Sequence, residues 1–268
     1  MSDAPLSPDL PDPVRQALAR TPARLLVGRS GPGYRTGTWL KLREDHAAAR
    51  DAVHAELDLE RDLGSELVTA FGLFEVSTWA TSKAEYLMRP DLGRKLSGDG
   101  RDAIWGRCTP GADLQVVIGD GLSATAVAAQ VPALLPLLKQ EADARGWVFG
   151  QPFVVRHCRV GVLNDVGELL NPAVAVLLIG ERPGLATAES LSAYLAYHPR
   201  PGHTDADRNL ISNIHARGVG PAEAARRIAA LAGVLIRHRA SGIQVKEQFS
   251  DLAALDPPSV EGMNPATR

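Results

Sequence analysis

The sequence predicts an α/β protein in which a mostly helical N-terminal domain precedes a mostly parallel, doubly wound sheet. Three short apolar runs, at residues 114–118, 153–155 and 173–179, have the composition of buried parallel strands. Stretches with helical character separate these runs, and strands that alternate with helices favour a parallel sheet. The run AVAVLLI at 173–179 is the strongest strand pattern in the chain. We describe the predicted sheet domain as Rossmann-like.

The composition excludes several classes of protein. The chain has 268 residues, of which 45% are hydrophobic and 22% are charged, and its formal net charge is −2. A balance this close to neutral gives no general attraction to nucleic acid or to an anionic membrane. No apolar run reaches the roughly 18 residues that a membrane-spanning helix needs, and the first residues do not resemble a secretory signal. We therefore expect a cytoplasmic protein without nucleic-acid or membrane partners.

The N-terminal part is predicted to be mostly helical. A short helix over 14–20 follows a proline-rich start, because prolines are excluded from helix interiors. The apolar triplet at 25–27 fits either a short strand or the end of a helix, and a Gly- and Pro-rich loop follows it. Residues 39–63 have a rough 3.6-residue apolar period and predict one long helix.

A change in sequence pattern divides the chain. Pro90 suits the first turn of a further helix, and the Gly- and Asp-rich segment 98–112 then interrupts the pattern before the apolar runs begin. We therefore predict an N-terminal domain over 1–105, a Rossmann-like domain over 106–250 and a loose C-terminal tail over 251–268.

Helices are predicted between and after the strands of the second domain. A long Ala- and Leu-rich helix ends near Arg145, with Gly146 suited to its C-cap. Residues 221–239 form the clearest helix, with Pro221 at its start, an apolar stripe and basic residues in its last turn. The remaining predictions are a helix or turn ending near Leu170, a helix over 186–194, a helix or folded loop over 205–214 and a last strand over 243–245.

Two glycine-bracketed acidic turns, 119–123 and 180–184, follow predicted strands. Ligands of open α/β sheets bind beyond the carboxyl ends of the strands. Asp120 and Glu181 can each accept hydrogen bonds from a ligand. The alternatives are that Asp120 caps a helix and that Glu181 forms a salt bridge with an arginine. Neither turn has the GxGxxG or Walker pattern, so nucleotide phosphate binding is unsupported.

No catalytic or metal-binding constellation is visible in the sequence. There is no Gly-x-Ser-x-Gly elbow, and Cys108 and Cys158 are expected to be reduced thiols without a matching histidine. The spacing of His198, His203 and His215 is not that of a metal site. The residues alone therefore indicate an α/β ligand-binding chain with no catalytic residues and no metal ligands.

An ordered set of segments resembles the small (light) subunit family of ethanolamine ammonia-lyase, EutC. No single segment is decisive, but all of them occur in the family's order and together cover roughly residues 24–246. The segments are VGRSGP at 27–32, RT at 35–36, YLMRPDLGR at 86–94, VVIGDGLS at 116–123, GERPGL at 180–185, ESLS at 189–192, ADR at 206–208, ISNIH at 211–215 and ASGI at 240–243.

The resemblance implies an enzyme, a cofactor and a partner. The family's reaction converts ethanolamine to acetaldehyde and ammonia by a radical route that starts at the cobalt–carbon bond of adenosylcobalamin. It implies a larger TIM-barrel subunit that carries the catalytic residues, a hetero-oligomer with several copies of each subunit, and a corrinoid bound between the two. This chain alone would then be inactive, and its N-terminal domain would contact the large subunit.

The resemblance also implies three cofactor-binding residues: Val160, Glu181 and Leu210. Val160 would contact the edge of the corrin ring, and Glu181 would accept hydrogen bonds from corrin amides. The family commonly has cysteine where this chain has Leu210, so only a backbone or apolar contact survives there. Phe153 and the 119–123 turn are further candidates for lining the site.

Two other functions stay open at this point. One is a noncatalytic scaffold or stabilising subunit, and the other is a stand-alone nucleotide-binding Rossmann-type enzyme, which the missing glycine fingerprint disfavours. The expected location is the cytoplasm. Some relatives reside in a bacterial microcompartment, but the short, proline-rich leader of this chain does not favour shell targeting.

Overall fold

A six-stranded open sheet organises the part of the chain that the structure describes. The structure is a computed structural model that describes residues 11–19, 29–184 and 187–247. The strand or helix end predicted at 25–27 and the predicted tail over 251–268 lie outside the described residues.

The described elements are as follows. The strands are β1 Arg29–Ser30, β2 Gly33–Tyr34, β3 Glu75–Ser77, β4 Leu114–Gly119, β5 Phe153–Arg156, β6 Val174–Gly180, β7 Leu191–Tyr197 and β8 Asn209–Ile214. The α-helices are α1 Asp12–Ala19, α2 Thr36–His54, α3 Leu59–Leu63, α4 Ser65–Phe71, α5 Lys83–Met88, α6 Gly98–Arg107, α7 Ala124–Ala144, α8 Val162–Leu170 and α9 Pro221–His238. Short 3-10 helices occur at Leu92–Arg94, Asp205–Asp207 and Gly242–Gln244.

The order of strands in the sheet is β3-β5-β4-β6-β7-β8. The first four are mutually parallel, and β7 and β8 continue the sheet in antiparallel pairing. The carboxyl ends of β4, β5 and β6 therefore meet at one edge. This confirms the mixed α/β architecture, whereas the Rossmann-like topology and the division into domains stay predictions.

Both faces of the central strands are buried, which explains their continuous apolar sequence. Alternate β4 residues face opposite sides: Val116 packs in a core layer with helices α7 and α9, and Val117 packs with α6 and α8. All six residues of β4 and all seven residues of β6 are buried. The predicted strands at 114–118, 153–155 and 173–179 are confirmed.

Several element predictions are wrong, and three of them fail for a clear physical reason. The described part of the helix predicted over 186–194 is not helical: β7 begins at Leu191, and its side chains alternate between the two core layers with the period of a strand. The predicted last strand at 243–245 is mostly a 3-10 helix that Gly242 starts at a φ of 80°. The long helix predicted over 39–63 ends at His54 because Ala55 is extended and Asp58 caps a separate helix.

The region 205–214, which fitted a helix or a folded loop, contains a 3-10 turn and then β8. The helix predicted from Pro90 is only the 3-10 turn Leu92–Arg94. The break predicted over 98–112 is wrong in its first part, because Ser97 caps helix α6, which runs from Gly98 to Arg107. Helix α9 matches the predicted helix over 221–239 within one residue. In the part of the chain described here, no helix combines the length and apolar character needed to cross a membrane.

Candidate functional site

The two acidic turns that follow β4 and β6 pack directly against each other. A Cβ on Gly180 would lie 2.0 Å from the carbonyl oxygen of Ser123, and one on Gly121 would lie 2.3 Å from the carbonyl oxygen of Gly180. The backbone N–H of Leu122 donates to that same Gly180 oxygen at 3.0 Å. Glycine is required at both contacts because the two backbones approach too closely for any side chain.

Asp120 lies inside the fold and organises the turn after β5. Its carboxylate accepts hydrogen bonds from the backbone N–H groups of His157 and Cys158, each at 2.9 Å. The ammonium of Lys83 lies 4.0 Å from the same carboxylate, and both side chains are buried. Burial lowers the pKa of Lys83, and the charge of Asp120 opposes this shift. The carboxylate of Asp120 therefore stabilises the fold and does not face a ligand site.

Ser123, not Asp120, caps the following helix. Its hydroxyl accepts a hydrogen bond from the backbone N–H of Ala126 at 3.1 Å and donates to the carbonyl oxygen of Ala188 at 2.6 Å. The alternative that Asp120 caps α7 is therefore wrong. Phe153 is also wrong as a lining residue, because its side chain has no exposed surface.

Glu181 lies where β6 ends and remains partly exposed. Its backbone N–H donates to the carbonyl oxygen of Ser190 at 3.1 Å. Its carboxylate accepts a hydrogen bond from the hydroxyl of Ser192 on β7. Glu181 is thus positioned by β7, and no described arginine forms the salt bridge that the sequence left open. Its carboxylate can accept further hydrogen bonds.

The face of β7 and β8 that bears Glu181 is partly open. Leu191, Ala193 and Leu195 point into the α7/α9 layer, so Ser192 and Tyr194 point to the opposite side. Leu210 pairs with Tyr194 in the sheet, shares its side, and is 47% exposed. We call the surface formed by Glu181, Tyr194 and Leu210 the open face, and the buried hydroxyl of Ser192 supports Glu181 from beneath it.

Electrostatics place Glu181 close to Tyr194. Burial is the largest cause of a raised pKa at Tyr194, and the next is the negative charge of Glu181. Val160, just before α8, is partly buried and packs against the same core layer as Tyr194. The structure therefore brings all three predicted residues to one side of the sheet, with Tyr194 between Glu181 and Leu210.

Comparison with known proteins identifies the family. Residues 11–246 match the family model described as ethanolamine ammonia-lyase light chain (EutC). The chain belongs to this family. Three relatives, each named ethanolamine ammonia-lyase small subunit, are similar over most of its length. The Clostridium acetobutylicum protein is 39% identical over 85% of this chain and 92% of its own. The Clostridium perfringens protein is 42% identical over 85% and 75%, and the Listeria monocytogenes protein is 42% identical over 84% and 75%.

The match to the ethanolamine ammonia-lyase light chain family includes the whole open face. The match also contains Tyr194 of the face and the buried Ser192 beneath it, to which the sequence analysis assigned no role in the site. Ser192 and Tyr194 alternate with Leu191, Ala193 and Leu195, and this two-residue period is typical of a strand. The prediction of a helix over these residues hid the alternation.

Arg208 belongs to the segment ADR at 206–208, to which the sequence analysis gave no role, and it lies beside this face. Its side chain is 3% exposed, and its guanidinium donates to Asp205 at 2.6 Å and to Asn164 of α8 at 2.8 Å. Burial lowers its pKa, which the charge of Asp205 opposes. Arg208 thus ties the segment that precedes β8 to the helix that follows Val160.

A second depression lies at the other end of the sheet. This polar cavity of about 460 Å³ is lined near the start of β6 by His198, Arg200, His203 and Asp207, among others. It contains none of the three predicted cofactor residues. Within the described ranges, no three His, Cys, Asp or Glu side chains are grouped so that they could hold a metal ion.

Proposed function

We propose that this chain is the small subunit of an adenosylcobalamin-dependent ethanolamine ammonia-lyase, and that its open face forms half of a corrinoid site. The observation that carries the proposal is the family match over residues 11–246, supported by small-subunit relatives of about 40% identity. The reaction proposed is the conversion of ethanolamine to acetaldehyde and ammonia.

The residues of the open face fit the chemistry of a corrinoid. The ring is broad and apolar, and amide side chains surround it, so its binding surface needs apolar area with a few acceptors. Leu210 offers exposed apolar surface, and Glu181 offers a carboxylate that is already oriented by Ser192. Val160 adds an aliphatic side chain at the end of the β5 turn. Val160, Glu181 and Leu210 would hold the cofactor from this side.

In this proposal the chain binds and orients the cofactor and shields it from water. Adenosylcobalamin, when bound, supplies homolytic cleavage of its cobalt–carbon bond, and the catalytic residues belong to the large subunit. Glu181 would accept hydrogen bonds from the amide N–H groups of the corrin side chains and would so orient the ring. Tyr194 and Leu210 cover one side of the site and exclude water.

The N-terminal helices expose apolar surface that a large partner would cover. Helix α1 has no buried residue, and Ala52 is the one buried residue of α2. Trp39 and Leu40 on α2 are 48% and 55% exposed. Because a helix draws most of its stability from packing, we propose that the N-terminal region docks on the large subunit, a TIM barrel by the resemblance, in a hetero-oligomer. The proposed location is the cytoplasm, inside or outside a protein-shelled microcompartment.

Reconstitution with a large subunit tests the proposed function. The two subunits are co-expressed, and release of acetaldehyde from ethanolamine is measured with adenosylcobalamin and with each component omitted in turn. We expect activity only when both subunits and the cofactor are present. Full activity per folded large subunit without this chain would favour the scaffold alternative. A thermal shift with NAD or ATP, but none with the corrinoid and partner, would favour the nucleotide-binding alternative.

Replacement of Glu181 tests the open face itself. We expect Glu181→Ala to weaken adenosylcobalamin binding to the two-subunit complex by about 1–3 kcal/mol, since it removes a charged hydrogen-bond acceptor from a partly buried site. Spectroscopic titration of the complex measures this loss. Glu168→Ala is the matched control, because Glu168 is exposed on α8 and pairs with Arg101. Unchanged affinity in Glu181→Ala would argue against the assigned role.

A further inference from the structure

Arg159 is held rigidly beside Val160. Its guanidinium carbon lies 4.3 Å from the centre of the Tyr86 ring, and Tyr86 is itself fixed by a 2.9 Å hydrogen bond to the carbonyl oxygen of Cys158. Its backbone N–H donates to the carbonyl oxygen of Gly93 at 2.8 Å. A Cβ on Gly93 would lie 2.8 Å from Cγ of Arg159, so the stem of the arginine is packed as well.

The guanidinium of Arg159 lacks a direct partner among the described residues. Its Nε is buried and has no hydrogen-bond partner, and its guanidinium forms no ion pair with the described residues. The nearby carboxylate of Asp120 already accepts two backbone N–H groups and faces Lys83. Asp120 is therefore already engaged, and the nearby Glu56 and Glu75 pair with Arg156. Arg159 is thus the cation of this cluster that has no carboxylate of its own among the described residues.

We propose that Arg159 binds the phosphodiester of the corrinoid's nucleotide arm, an inference that rests on the proposed function. A planar guanidinium whose position is fixed over an aromatic ring presents its N–H donors as a rigid fork, and a rigid fork suits bidentate binding of phosphate oxygens. The amide groups around the ring are neutral, whereas the phosphodiester is an anion that a nearby cation stabilises. Arg159 also directly precedes Val160, a predicted contact of the ring.

A comparison of two corrinoids distinguishes phosphodiester binding by Arg159 from a purely structural role in packing. The complex with the large subunit is titrated with adenosylcobalamin and with adenosylcobinamide, which lacks the phosphodiester and the nucleotide. We expect Arg159→Gln to weaken adenosylcobalamin binding about 10- to 100-fold, the size of a charge-assisted hydrogen bond, and to leave adenosylcobinamide binding unchanged. Arg159→Lys keeps the charge without the planar fork and should lose less, which also covers the case in which Arg159→Gln does not fold.

Arg107→Gln is the matched control, because Arg107 also stacks on an aromatic ring, Phe74, at 4.9 Å, but at the amino end of β3. It should leave both affinities unchanged. The proposal is overturned if the Arg159 variants weaken both corrinoids equally or neither. It is also overturned if they weaken subunit association without changing the preference between corrinoids, because Arg159 would then pair with the partner. A wild-type complex that binds neither corrinoid would instead refute the proposed function.

Discussion

Asp120→Ala is expected to lower the free energy of unfolding by about 3–5 kcal/mol, the usual cost of removing one member of a buried ion pair. The substitution leaves Lys83 buried without its counter-ion, and it leaves the backbone N–H groups of His157 and Cys158 without their acceptor. Urea unfolding of the purified chain measures the loss. Asp143→Ala is the matched control, since Asp143 pairs with Lys139 on the surface and should contribute less than about 1 kcal/mol.

The loss of unfolding free energy caused by Asp120→Ala should be smaller at alkaline pH. Burial already lowers the pKa of Lys83, and loss of the Asp120 charge lowers it further. Between that lowered pKa and the unfolded value of about 10.4, the unfolded chain binds more protons, so stability rises with pH. Adding Lys83→Met should recover part of the loss at neutral pH. A deficit that is independent of both pH and Lys83 would contradict the ion-pair explanation.

Gly180→Ala should lower the free energy of unfolding by about 3 kcal/mol, because overpacking at a rigid contact forces the backbone to move. The added methyl group would lie 2.0 Å from the carbonyl oxygen of Ser123, which belongs to the backbone and cannot rotate away. The shift also displaces Glu181, so corrinoid binding by the complex should fall in parallel. Urea unfolding and corrinoid titration measure the two effects.

Gly106→Ala is the control for Gly180→Ala. Gly106 lies inside α6, and a Cβ there meets nothing within 4 Å. Alanine should therefore stabilise the helix by up to about 1 kcal/mol. Equal effects of the two substitutions would mean that the turns after β4 and β6 are not in close contact.

The buried parallel strands were predictable because burial on both faces leaves a continuous apolar run. Strand β7 was not, since Ala and Leu favour helices as isolated residues and the strand exists because it pairs with β6. The break in the long N-terminal helix depends on a local cap at Asp58, which the apolar period of residues 39–63 does not reveal.

The candidate site was predictable in part. The glycine-bracketed turn after β6 identified Glu181 as accessible at the edge of the sheet, and the structure agrees with that position. The parallel turn after β4 has the same sequence character, yet its Asp120 is buried against Lys83 and the turn after β5. Contacts between such distant segments leave no trace in local spacing, so the two turns could not be distinguished from sequence.

The central claim is that two polypeptides share one corrinoid site, and an equilibrium titration with adenosylcobalamin tests it most directly. The cofactor is titrated into this chain, into the large subunit and into their complex, with absorbance of the corrin ring as the readout. We expect the complex to bind at least about tenfold more tightly than either subunit, a difference of about 1.4 kcal/mol. Binding to the large subunit alone that equals binding to the complex would contradict the claim.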